Sequence, residues 1–236
     1  MKTESWNRES AEAAKAALDR FTSPTAARFG ARGRYLMDAT MALVAIALLM
    51  PLFLLISLLI KLDSRGPVLF RQKRLGKDLK EFTFLKFRSM YVGSDPRVHE
   101  ESFRRFSQGQ PAEVNGKTVR YKPSKDPRVT RVGRWLRATA LDELPQLLNV
   151  LAGHMSLVGP RPAIPYELAF YQDWHYQRFK VLPGLTGMWQ VYGRSQVPFE
   201  TMMKMDVEYV SKRSVLLDLK LLLLTIPVVL TRKGGY

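Results

Sequence analysis

Ala39 to Ile60 contains no charged residue and consists almost wholly of Leu, Ala, Ile, Met, Val and Phe. About 20 such residues let a helix cross the hydrocarbon core of a bilayer, so this run is read as a membrane helix. A soluble core helix is the alternative. Two details bear on how it sits. Pro51 lies mid-run and cannot donate to the carbonyl of Ala47, so a kink is expected there. Both flanks are basic, with Arg28, Arg32 and Arg34 before the run and Lys61, Arg65, Arg71, Lys73 and Arg74 after it. Positive charge marks the cytoplasmic side. A straight span exports one cluster, whereas a kinked, re-entrant helix keeps both inside, and the re-entrant form is the expected one. Thr40 and Ser57 are the run's only hydroxyls, and neither adjoins Pro51.

The charge balance extends the argument. Among 236 residues, 37 Lys and Arg face 21 Asp and Glu, a net charge of +16. That surplus calls for an anionic partner: nucleic acid, anionic lipid or a phosphorylated substrate. There is no cysteine, which excludes disulfides, thiolate metal sites and a Cys nucleophile. His99, His154 and His175 are far apart and give little support to a His-based zinc site or a Ser-His-Asp triad.

Residues 1–31 read as an N-terminal extension, with a short solvated helix over Ser10–Phe21 and no signal-peptide pattern. Residues 32–62 are the membrane helix and 63–236 a single catalytic region. Val68–Phe70 predicts a short strand. The alternation from Phe82 to Phe87 predicts a half-buried strand with Lys86 and Arg88 on its polar face, facing a phosphate or lipid headgroups. Residues 91–128 are polar and irregular, with a short helix over Glu100–Arg105 and a hairpin turn at Asn115-Gly116. Tyr166–Phe179 and Phe199–Tyr209 read as helices. Val215–Leu230 reads as an apolar helix lying at a membrane interface.

The candidate chemistry lies at Thr139–Gly153. Pro145 fits only a first helical turn, so a helix is expected to start just before it, with Leu144, Leu147, Leu148 and Leu151 on its buried face and Gly153 as its stop. Asp142 and Glu143 then sit at its mouth, where negative charge is favoured. They either cap the helix or do chemistry. Arg131, Arg134 and Arg137 share one helical face just upstream, suited to holding phosphate oxygens while a carboxylate attacks phosphorus, or to lying on anionic lipid. Arg161 stands between Pro160 and Pro162, a cation on a stiffened backbone. Pro183–Arg194 is punctuated by glycines and carries Trp189, Tyr192 and Arg194, which could stack a base or sugar and bind a phosphate.

Lys86-Phe-Arg-Ser-Met90, Leu141-Asp-Glu-Leu-Pro-Gln146, Met155-Ser-Leu-Val-Gly-Pro-Arg-Pro162, Pro183-Gly-Leu-Thr-Gly187 and Gln190-Val-Tyr-Gly-Arg194 together resemble the bacterial sugar transferases, the monotopic phosphoglycosyl transferases, over roughly residues 32–233. The resemblance implies an α/β, mainly helical fold with a re-entrant N-terminal membrane helix, a small catalytic domain and amphipathic interfacial helices. It places the chain at the cytoplasmic face of a bacterial inner membrane. It implies transfer of a sugar-1-phosphate from a UDP-sugar to polyprenyl phosphate, with UMP released, as the first membrane step of exopolysaccharide or another glycan. In that reading Asp142 is the nucleophile and, with Mg²⁺, the metal-binding residue, and Glu143 assists. Arg137 and Arg161 match cations near the phosphates; Lys86, Arg88 and Arg194 match more loosely. Anionic lipid is a further partner, a homodimer stays open and nucleic acid is not implied. His154, Leu182 and Met50 stand where members often carry Asp, Arg and Ser. A basic membrane-anchored binding module and a membrane-bound phosphate-ester hydrolase are the competing classes.

Overall fold

The computed structural model describes residues 8–20, 28–95, 97–110, 112–114, 117–119, 126–193 and 197–230. It is mainly helical. In chain order the elements are α1 (Arg8–Asp19), α2 (Arg28–Asp63), β1 (Leu69–Leu75), β2 (Glu81–Phe87), α3 (Arg97–Ser107), β3 (Ala112–Val114), β4 (Lys117–Val119), α4 (Arg131–Ala138), α5 (Gln146–Leu151), β5 (Ser156–Val158), β6 (Gly184–Thr186), α6 (Met188–Tyr192), α7 (Phe199–Lys212) and α8 (Val215–Leu230). Single 3₁₀ segments cover Leu141–Glu143, Pro165–Phe170 and Asp173–Lys180.

The strands form three two-stranded sheets among the described residues. β1 and β2 pair antiparallel, with Phe70 opposite Lys86 and Gln72 opposite Phe84. β3 and β4 pair on either side of Asn115-Gly116, as the hairpin reading requires; the turn residues themselves lie outside the described residues. β5 and β6 pair parallel.

α2 is one helical element that includes Pro51. Ser57 donates to the carbonyl of Phe53. Both ends of α2 are pinned to the catalytic body. Toward its start, Asp38 accepts from the Ser156 hydroxyl at 2.5 Å, and Arg34 pairs with Asp218 of α8. At its end, Asp63 accepts from the Val132 amide at 3.0 Å. Ala42 and Ile46 join a core with Leu147, Val150 and Leu157, while Ile56 and Ile60 pack with Phe87 and Leu136. Between these anchor points Leu48, Met50, Leu54 and Leu55 are exposed.

Three expectations change. Tyr166–Phe179 is two 3₁₀ segments with extended backbone at Tyr171 and Gln172, not one helix. The Gln172 amide there donates to His175 Nδ1 at 3.0 Å, a local bond that competes with helix propagation. The helix expected before Pro145 begins at Gln146, and Asp142 and Glu143 occupy a separate 3₁₀ turn ahead of it. α1 is solvated on one side only: Ala14, Ala17 and Leu18 are buried with Leu168, Tyr176 and Phe179, so a helix of this composition gains its stability by docking.

Candidate active site

The dyad turn is built by two local devices. Ala140, the residue before it, is left-handed at φ 54, a conformation costing about 1 kcal/mol for a residue with a Cβ. It reverses the chain between α4 and the turn. Downstream, Asn149 of α5 docks on the free edge of β2: its Oδ1 accepts from the Leu85 amide at 3.0 Å and its Nδ2 donates to the Thr83 carbonyl at 2.8 Å. These bonds fix α5, and hence the dyad, beside Lys86. Gly153, at φ 72, ends α5 as its glycine predicts.

Asp142 is buried and Glu143 half-buried. Glu143 pairs with Arg161, Nη1 to Oε1, at 3.5 Å. The Lys86 ammonium is ringed by charge. Burial lowers its pKa from 10.5 to about 8; Asp142 pulls it back up, and Arg137, Arg74 and Arg161 push it further down. It also sits 5.2 Å from the centre of the Phe70 ring. Lys86, Arg137, Arg161 and Asp142 therefore share one electrostatic neighbourhood.

The motif Lys86–Met90 divides its labour. Lys86 faces the site. Arg88 is buried in the wall of the same cleft and spent on backbone: it donates to the carbonyls of Arg65 at 2.9 Å and Ser64 at 2.7 Å and to the Ser64 hydroxyl at 3.0 Å. Its cation neutralises carbonyls at and just past the end of α2, and Lys86 and Arg88 both line the same cleft, as expected for one polar face. Ser89 accepts from Arg137 Nε at 2.9 Å and sets that guanidinium in place. Gly133 packs so tightly on the Ser89 carbonyl that a Cβ there would collide with it.

Beside this cluster opens a cleft of about 1380 Å³ whose walls include Arg71, Arg74, Lys86, Arg128, Arg134, Arg137 and Arg161. Its acids are Asp95 and Asp126, and Asp126 is already paired with Arg128 at 2.7 Å. Of the α4 arginine row, Arg134 and Arg137 reach the cleft and Arg131 does not. His99 of α3 and Tyr166 meet across it, Nδ1 to hydroxyl, at 2.5 Å. The cleft exceeds the roughly 300–1,000 Å³ of a small-molecule pocket. Its surplus of cations suits a large polyanion.

The glycine-rich stretch has a different use from the one expected. A Cβ at Gly184 would overlap Gly159, and one at Gly187 would overlap the Gly159 carbonyl, so these glycines allow β5 and β6 to pack. Trp189 is buried with Phe103, Phe199 and Met203 and forms core, not a stacking platform. Arg194 lies outside the described residues. The residues that the sequence reading missed are Arg74, Ser89, Asn149 and Arg178. Ser89 lies within the Lys86–Met90 motif and Arg74 within the basic flank, so both are visible without their roles; Asn149 and Arg178 show in the sequence only as polar side chains.

A family model described as bacterial sugar transferase matches residues 30–232. Exopolysaccharide production protein ExoY of Sinorhizobium fredii is 41% identical over 199 residues, 84% of this chain and 86% of that protein. Longer relatives match with part of their length. The UDP-glucose:undecaprenyl-phosphate glucose-1-phosphate transferase of Xanthomonas campestris is 40% identical over 209 residues, 85% of this chain and 39% of that protein. The undecaprenyl-phosphate galactose phosphotransferase of Salmonella typhimurium is 41% identical over 171 residues, 72% of this chain and 35% of that protein.

Proposed function

The chain belongs to the bacterial sugar transferase family, and on that premise we propose that it transfers a sugar-1-phosphate from a UDP-sugar to polyprenyl phosphate through a covalent phosphosugar on Asp142. The observation that carries this reading is the turn holding a buried carboxylate next to Lys86, with Glu143 paired to Arg161, where Lys86, Arg137 and Arg161 themselves line a strongly basic cleft.

In the first step a carboxylate oxygen of Asp142 attacks the β-phosphorus of the UDP-sugar. The bond from that phosphorus to the bridging oxygen breaks, and UMP leaves with the oxygen. In the second step a phosphate oxygen of polyprenyl phosphate attacks the phosphorus held on Asp142. The acyl-phosphate bond breaks, which frees the carboxylate and yields polyprenyl-diphospho-sugar. Lys86, Arg137 and Arg161 offset the charge that builds on the phosphoryl oxygens. Glu143, held by Arg161, positions or deprotonates the acceptor phosphate.

Asp142 and Glu143 suit Mg²⁺, which typically takes one or two carboxylates and completes its shell with substrate phosphates and water. Among the described residues no cluster of three or more His, Cys, Asp or Glu could form an all-protein metal cage. The ion's chemistry here would be neutralisation of phosphate charge.

Among the described residues one helix, Arg32–Asp63, is long and apolar enough to cross a membrane. A re-entrant placement on the cytoplasmic face is supported by the anchoring of both ends. Asp38 and Asp63 both bond to the same catalytic body, and between them the exposed apolar side chains Leu48, Met50, Leu54 and Leu55 are left for lipid. Both basic flanks then stay on one side.

Purified protein with Mg²⁺, polyprenyl phosphate and a panel of UDP-sugars tests the reaction. UMP release beyond one equivalent per enzyme should require the acceptor, and all release should vanish in Asp142→Asn. Acceptor-independent UMP release at full rate would point to a hydrolase, and no release with any donor would favour a binding module. Intact-mass measurement without acceptor should show one added phosphosugar, and its absence from active enzyme would refute the covalent step.

A further inference from the structure

We propose that Arg178 and Arg74, two buried guanidiniums outside the reacting groups, act as positioning residues that clamp the backbone of Arg161 and so set its side chain against the dyad. Arg178 donates from Nη2 to the Arg161 carbonyl at 2.7 Å, and Arg74 donates from Nη1 to the next carbonyl, Pro162, at 2.7 Å. Each arginine is 4% exposed. Two consecutive carbonyls are thus held by two cations from different parts of the chain. Pro162 already restricts the backbone of Arg161 and Pro160 fixes its own φ just before it, and the clamp fixes the remaining freedom of the peptide planes.

Both guanidiniums are themselves seated. Arg178 pairs with Asp206 of α7 at 2.7 Å and also contacts the Tyr171 hydroxyl. Arg74 lies over the Phe84 ring, 4.7 Å from its centre. Glu167 is buried beside them: burial raises its pKa above the ordinary carboxylate value, against the pull of Arg74, Arg178 and Arg161. Burying a charge costs several kcal/mol unless it is paired. A loop that needed only its carbonyls satisfied could use neutral donors. Spending two buried cations on the Arg161–Pro162 backbone fits a need for stiffness, because the Arg161 guanidinium must meet Glu143 from one direction. The arrangement also links α7 to the active site: Asp206 reaches Arg161 through one side chain.

The proposal rests on Arg161 acting in the transfer reaction, and a double-mutant cycle separates the two claims. Arg178→Lys keeps the charge but loses the fork that bridges Asp206, Tyr171 and the carbonyl. Its kcat/KM for UDP-sugar should fall about 10- to 30-fold. In an Arg161→Ala background the same change should cost less than about twofold, because the side chain being positioned is gone. Tyr171→Phe is the milder second variant, and its smaller loss should vanish in the same background. A radiolabelled donor keeps the slow double variants measurable. Equal fold-losses in both backgrounds would show Arg178 to be merely structural and overturn the clamp. If Arg161→Ala alone leaves kcat/KM unchanged, the role of Arg161 in the reaction fails first and the clamp with it.

Discussion

Lys86 gives the sharpest test of the site, because its charge is expected to disappear at a pH where the fold persists. Burial and three nearby arginines bring its pKa from 10.5 to about 8 despite the attraction of Asp142. That fall corresponds to roughly 3 kcal/mol against the charged form. If the ammonium steadies phosphoryl oxygens, kcat/KM should be level near pH 7 and lose about tenfold for each pH unit above 8. At pH 9 about one-tenth of the free enzyme remains competent. Lys86→Arg keeps its charge throughout this range, so its profile should stay flat to beyond pH 10 even if its plateau is lower. Lys86→Met should be low at every pH and lack the limb.

Stability should move the opposite way. A cation whose folded pKa lies below its unfolded value destabilises the fold while it is charged, at pH below about 8. That penalty is relieved as pH rises from about 8 toward 10.5. The thermal midpoint of the wild type relative to Lys86→Met should therefore rise by several degrees across the interval in which activity falls. An alkaline limb that begins only above pH 10, or one that persists near 8 in Lys86→Arg, would refute the assignment.

Ser89→Ala releases the Arg137 guanidinium, and kcat/KM should drop about tenfold with little change in thermal midpoint. Gly133→Ala drives a methyl into the Ser89 carbonyl and should destabilise by about 1–3 kcal/mol, read by denaturant unfolding in detergent. Ala140→Gly removes the left-handed penalty and should raise stability by up to about 1 kcal/mol with the active-site charges unchanged, again read by denaturant midpoint. Cysteines placed singly at Arg32 and Asp63 should both resist a membrane-impermeant thiol reagent in intact cells. Since the chain has no native cysteine, labelling of either position would identify a span.

Much of the site was legible because its signals are local. An uncharged apolar run needs no partner to be recognised, and the family match at residues 30–232 agrees with the extent, roughly 32–233, over which the motifs resemble that family. Pro145 and Gly153 limit a helix wherever it is placed, and the three-residue spacing of Arg131, Arg134 and Arg137 forces a common face. The stop at Gly153 held, while the start moved to Gln146 because the left-handed Ala140 and a 3₁₀ turn separate the dyad from the helix.

The remaining assignments depended on residues far away in the chain. Strand alternation put Lys86 and Arg88 together and both line the cleft, but Arg88 lies just past the strand's end, where its guanidinium is taken up by the Ser64 and Arg65 carbonyls after α2. Composition made Trp189 and its glycines look like a ligand loop; packing against β5 and α7 made them core. Asn149 and Arg178 carry no pattern of their own and Ser89 shows only as a member of the Lys86–Met90 motif; each gains its role from a partner 48 residues away for Ser89, 64 and 66 for Asn149, and 17 for Arg178. The sequence by itself determined where this protein is apolar, where it turns and which charges crowd its middle. Only the tertiary structure decided which of those charges face substrate and which hold the backbone, because a buried polar group must be satisfied by whatever the fold brings within hydrogen-bond reach.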